Sequence, residues 1–164
     1  MFGENKEIEK IGGPEIDRKI QDAATSMAQG DYARASTTLA AVRQDVEKVR
    51  QVNPAKLPKS AERLDDLVRD SENGLAAHKK ITDAQIASDK GDWPDALKLL
   101  NEAADLYAKI APDDKSPRDQ ADLDRSLANA RKNIASTLEA VFAKATAADQ
   151  RRDFPVALAA YADA

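Results

Sequence analysis

One short pattern recurs three times in this chain at an unchanging interval, and that repetition limits the possible folds more than any other feature. Gly30-Asp31-Tyr32, Gly91-Asp92-Trp93 and Arg152-Asp153-Phe154 place their aspartates at 31, 92 and 153, so both intervals are 61 residues. The flanks keep the register. Ala23, Ala84 and Ala145 precede the pattern, Ala35, Ala96 and Ala157 follow it, and Leu39, Leu100 and Tyr161 come one helical turn later. Upstream, Ile20, Ile81 and Phe142 also align. A fixed period of this kind marks a chain built by stacking one supersecondary unit on itself.

The residues of the pattern specify a helical hairpin. Gly30 and Gly91 can adopt the left-handed conformation that closes a helix. Asp31, Asp92 and Asp153 suit the N-cap of the helix that follows, where a carboxylate accepts from free N–H groups. Pro94 and Pro155 fall in its first turn, where a missing N–H costs nothing. The aromatic packs at the corner, and the alanines let the two helices approach closely. Arg152 in place of glycine costs about 1 kcal/mol if that position is left-handed.

Each unit is longer than its corner. Ala35, Leu39, Val42, Val46 and Val49 step as a helical seam, as do Ala96, Leu100, Ala103, Tyr107 and Ile110. Proline-containing loops follow at 53–58 and 111–117. Ser116, Pro117 and Asp119 have the order of an N-cap, a first-turn proline and a capping-box acid, and Ser60 is the matching start in the first copy. Leu123, Leu127, Ala130, Ile134, Leu138, Val141, Ala145 and Ala148 hold helical spacing, so 118–150 is expected as one long helix. In the first copy Leu64, Val68, Ser71 and Leu75 match at an offset of 59 residues, but Ile81 and Ala84 match at 61. Asn73-Gly74 lies where the register slips, which predicts a kink or a break. The expected helices are 15–29, 32–51, 60–89, 93–111, 118–150 and 154–164. A polar arm, 1–13, precedes the repeat domain, 14–164.

The corners resemble the tetratricopeptide repeat. That family has a small residue in its first helix, Gly-Asp-aromatic at the turn, then Ala, a large apolar residue and Ala. Here the second copy reads Ala84, Gly91-Asp92-Trp93, Ala96, Leu100 and Ala103, and the third Ala145, Asp153-Phe154, Ala157, Tyr161 and Ala164. The first copy has Val42 in the last place. The likeness covers less than half of the chain, and the period is 61 residues where the family has 34. It implies an all-α fold, antiparallel helical hairpins stacked as a tetratricopeptide-like α-solenoid with elongated helices. It also implies a surface that holds a protein or peptide.

Composition narrows the chemistry. At 42% apolar and 33% charged residues the chain is neither membrane-like nor depleted of core-forming residues. A net charge of −4, with both signs interspersed, gives no electrostatic reason to bind nucleic acid or anionic lipid. The absence of cysteine excludes disulfides, thiolate zinc sites and cysteine nucleophiles. No apolar run approaches the roughly 20 residues that span a bilayer, and residues 1–7 do not form the apolar segment of a signal peptide. A soluble, cytoplasmic protein is the resulting expectation.

Candidate reactive groups have plain structural explanations. His78, the only histidine, falls on or beside the inner seam, and the expectation is a partly buried, hydrogen-bonded side chain. Without a second histidine or any cysteine, no metal site and no cofactor is expected. Asp65-Asp66 on a helix face and Asp113-Asp114 in a loop read as solvated charge. Gly12-Gly13 has no preceding strand and is no phosphate loop. Lys79-Lys80 and Arg151-Arg152 are too small for a nucleic-acid patch. Trp93 is either a ligand anchor or the corner aromatic, and its equivalence with Tyr32 and Phe154 favours the corner.

Two functions fit. The first is a non-catalytic scaffold that binds another protein, with Lys79, Thr82, Gln85 and Asp89 as candidate contacts suited to a polar or charged ligand. The second is a structural spacer or self-assembly subunit made of long coiled-coil-like hairpins. The final helix carries Phe154, Val156, Leu158 and Tyr161 yet has barely three turns. The chain is therefore expected either to continue beyond Ala164 or to cover this helix with another copy.

Overall fold

The computed structural model describes residues 12–150 and 154–162, and at 154, 157 and 161 the backbone only. The helices α1 (Gly13–Ala28), α2 (Tyr32–Val52), α3 (Leu64–Asp89), α4 (Trp93–Ala108), α5 (Pro117–Gln150) and α6 (Phe154–Ala162) follow one another. Short 3-10 turns occupy Pro54–Lys56, Lys59–Arg63 and Pro112–Asp114, and no strand occurs among the described residues. The protein is all-α, as expected. Each helix packs chiefly against its neighbours in sequence.

The first two corners share their closing and capping bonds at the 61-residue interval. Gly30 and Gly91 have φ of 84° and 79°. Beside them the Asp31 N–H donates to the Ser26 carbonyl at 2.8 Å and the Asp92 N–H to the Ala87 carbonyl at 2.9 Å. This is the six-to-one bond that closes a helix around a left-handed residue. The aspartates then cap the next helix: Asp31 Oδ1 accepts from the Arg34 N–H at 3.0 Å, and Asp92 Oδ1 from the Asp95 N–H at 3.2 Å. Asp153 and Arg152, in the third copy, lie outside the described residues, as do residues 1–11 of the N-terminal arm and the side chains of Phe154, Ala157 and Tyr161.

Burial follows the seams. Ala23, Ala35, Ala84, Ala96 and Ala145 are buried, which is what lets neighbouring helices approach closely. Ile20, Met27, Leu39, Val42, Leu67 and Leu123 fill the core between them. Ion pairs cross the first three of these contacts: Lys19–Asp45 from α1 to α2, Arg43–Asp65 from α2 to α3, and Lys80–Glu102 from α3 to α4. The hydrogen bond to Asp45 raises the Lys19 ammonium, the bond to Glu102 raises Lys80, and Lys80 in turn lowers Glu102.

Five expectations are corrected. First, α3 runs unbroken through Asn73-Gly74. Gly74 is there because the Tyr32 ring lies directly on it, and an added Cβ would overlap the ring. Second, Ser60 does not start α3; it sits in the 3-10 turn that leads into the helix at Leu64. Third, Asp114 is not solvated. It is 2% exposed, and its carboxylate accepts from Arg63 Nη2 at 3.1 Å. Burial raises its carboxyl, with the Arg63 charge opposing. Fourth, α4 ends at Ala108, although Ile110 stays buried in the seam beyond it. Fifth, Asp119 completes no capping box. Ser116 Oγ accepts from the Asp119 N–H at 3.3 Å as expected, but the Asp119 carboxylate is engaged elsewhere.

Candidate functional site

α3 and α5 both pack on α4 and leave an open groove between them, which α4 floors with Leu100 and Trp93. The groove holds two adjoining cavities that share Ile81 of α3 and Ser126 of α5. The larger, about 300 Å³, reaches His78 and Asp119, and the smaller, about 110 Å³, reaches Trp93.

A buried hydrogen-bonded chain closes the first end. The Ser116 N–H donates to the Tyr32 hydroxyl at 3.3 Å, Tyr32 donates to the Tyr107 hydroxyl at 3.2 Å, and Tyr107 donates to Asp119 Oδ2 at 2.9 Å. His78 Nε2 stands 3.0 Å from the same oxygen. Asp119 Oδ2 is an acceptor for both, so the proton of this second bond sits on Nε2. The Tyr32 ring meets those of His78 and Tyr107 edge-on, with centroids 5.2 and 6.1 Å away. Four helices thus meet here: α2 through Tyr32, α3 through His78, α4 through Tyr107 and α5 through Asp119. Gly30 completes the packing, since a Cβ on it would collide with the Asp119 carboxylate. Burial drives the Tyr107 hydroxyl far above the ordinary tyrosine range, and the adjacent Tyr32 and Asp119 push the same way. Burial also raises Tyr32, partly offset by its bond to Tyr107. Both hydroxyls therefore stay protonated and serve as structural donors.

The other end belongs to Trp93. Tyr32, its counterpart 61 residues earlier, is fully buried, but Trp93 is half-buried. It packs on the core and also lines the groove. Trp93 thus holds the corner position and is also partly open to the groove. Of the candidate contacts, Thr82 lines the larger cavity and Gln85 and Asp89 the smaller. Gln85 Nε2 donates to Asp89 Oδ1 at 2.8 Å. Lys79 is exposed on α3 and lines neither cavity.

A histidine–aspartate pair needs a nucleophile or a proton acceptor presented to its free nitrogen. The two hydroxyls beside His78 in the lining are turned to their own helices: Thr82 donates to the His78 carbonyl and Ser126 to the Asp122 carbonyl. Among the described residues no three His, Asp or Glu side chains gather as metal ligands. None of the described helices is long and apolar enough to cross a membrane.

Two groups were not foreseen from sequence. Asp70 is fully buried, and its Oδ2 accepts from the Ala111 N–H at 2.9 Å, which pins the loop after α4 to α3. The Tyr32–Tyr107–Asp119 chain is the other. Its signal was Tyr107 itself, a residue with a polar tip at a seam position where the first copy has Val46; a buried hydroxyl needs a partner.

No protein-family model matches this chain, and neither a curated protein nor a solved structure is similar to it.

Proposed function

We propose that this protein is a non-catalytic scaffold that holds a segment of another protein in the α3–α5 groove. Its hairpins would stack as a tetratricopeptide-like α-solenoid with elongated helices. The observation that carries this reading is the half-buried Trp93, set in a groove whose opposite end is braced by the Tyr32–Tyr107–Asp119–His78 chain. A rigid, open cleft with an indole at one end can bind with little loss of its own conformational freedom. Selection of a randomised dodecapeptide library on the full chain tests it. Binders should be lost when the groove is filled by Ser126→Phe or Thr82→Tyr, with circular dichroism confirming that each variant stays folded. The absence of any binder that depends on the groove sinks the reading.

A second reading, self-assembly, draws support from the C-terminal helices. Between Leu127 and Ala145 the seam of α5 is only half-buried at Ile134, Leu138 and Val141. α6 carries no charged or polar side chain other than Tyr161, and Leu158 is 73% exposed. A helix apolar all round normally has neighbours on every side. Light scattering over a range of concentrations, with Leu158→Lys as the disrupting variant, separates a dimer from a monomer.

A further inference from the structure

The groove has a one-sided charge, and this bears on what it holds. Its charged lining residues are Asp89, Asp119 and Asp122, and no lysine or arginine is among them. Its apolar surface comes from Ile81, Leu123 and the indole of Trp93. We propose that the occupant is a basic segment of a partner protein, in which lysine or arginine alternates with aliphatic side chains. This rests on the binding reading above and specifies the chemistry of the ligand.

Three arguments lead to that segment. Carboxylates in a recess with low-dielectric walls act together, because field lines are focused where water is partly excluded. A cation is therefore drawn to this groove, and an acidic segment is repelled. An indole face attracts a guanidinium or ammonium group, so the same side chain that satisfies a carboxylate also has a partner in Trp93. Ile81 and Leu123 give neighbouring aliphatic side chains a surface to cover.

The existing partners of the carboxylates leave room for a ligand. Asp122 is paired with Arg125 at 2.8 Å and with Arg118 at 3.9 Å, but those arginines are 78% and 88% exposed. Pairs of that kind contribute little and exchange readily. Among the described residues, Asp89 accepts only from the neutral Gln85 amide. Asp119 is held by Tyr107 and His78 and adds its field without having to move. The concavity between α2 and α3 is different in kind. It is lined by Arg43 together with Glu47 and Glu72, and it has no aromatic residue.

The chain has a single tryptophan, so binding can be followed without a label. The full-length protein is panned with a randomised dodecapeptide library, and the groove-dependent binders are those lost in Ser126→Phe and Thr82→Tyr. Their sequences should be enriched in Lys and Arg over Asp and Glu. The best synthetic peptide should shift Trp93 emission, bind about tenfold more weakly to the Asp89→Asn, Asp122→Asn double variant, and weaken about threefold or more between about 0.05 and 0.5 M salt. Both aspartates are exposed, so the double variant is expected to melt with the parent. Groove-dependent binders of neutral or acidic composition, or binding indifferent to the double variant, overturn the basic partner and leave the groove as a binding surface. No groove-dependent binder at all overturns the binding reading itself.

Discussion

Tyr32 of α2 lies against Gly74 of α3, close enough that no side chain fits between them. A glycine inside a helix is about 1 kcal/mol worse than alanine by propensity alone. That cost is accepted here because it brings two helices together over one of the two largest fully buried rings of the core.

Gly74→Ala therefore has two opposed effects. Propensity favours alanine, while the methyl group must displace the ring or part the helices, at about 1–3 kcal/mol. The packing effect is the larger, so the variant is expected to be net destabilised in a urea melt. A net gain in stability would show that Tyr32 can move aside freely.

The buried hydroxyls give a second prediction. Tyr107→Phe keeps the ring but removes the donor to Asp119 and the acceptor of the Tyr32 hydroxyl. A buried polar group left without its partner costs about 1–3 kcal/mol. The loss should be shared with Tyr32→Phe: a double variant is expected to lose less than the two single losses added together, since both substitutions break the same chain. Additive losses would mean that the two hydroxyls act independently.

Much of this was legible in the sequence. The 61-residue register located both described corners, their left-handed glycines and their aspartate caps, because those features depend on a few neighbouring residues. Helix boundaries agreed closely at the two corners, whereas beside the proline loops the start of α3 and the end of α4 shifted. What the sequence hid was contact between distant segments. The slip at Asn73-Gly74 suggested a break, since glycine reads locally as helix-weakening; only the position of Tyr32, 42 residues away, explains it. Asp114 looked like a loop carboxylate until Arg63 and the core closed over it. The groove was half-visible. Thr82, Gln85 and Asp89 were legible on one face of a helix, but the opposing wall of α5 and the partial exposure of Trp93 depend on how α3, α4 and α5 are set against one another.

Asp114 makes stability depend on pH in a defined direction. Burial raises its carboxyl above the ordinary value of 3.8. A group whose pKa is higher in the folded chain favours folding below its unfolded value, and that contribution is lost as pH rises through the folded value. Asp114→Asn removes this dependence. The stability of the variant relative to the parent should therefore improve as pH rises from about 3 to about 7. A relative stability that falls over the same interval would show that the Arg63 ion pair outweighs desolvation.

The two described corners should respond unequally to the loss of their aromatic. Tyr32 is fully buried, touches Gly74, His78 and Tyr107, and donates one hydrogen bond while accepting another. Tyr32→Ala is expected to cost about 3–5 kcal/mol, the range for deleting a core aromatic. Trp93 is larger, yet only part of its surface is withdrawn from water, and among the described residues its indole closes no hydrogen-bonded chain. Trp93→Ala should cost about half as much or less, because both the transfer and the cavity contributions scale with what is buried. The binding readout should rank them the other way. Trp93→Ala should abolish peptide binding in the groove while the fold survives. Tyr32→Phe, which leaves the groove lining untouched, should reduce binding only as far as it loosens the chain from Tyr107 to Asp119. Equal losses of stability at the two corners would mean that Trp93 is a core residue like its counterpart, and the groove would lose the residue on which its proposed role depends.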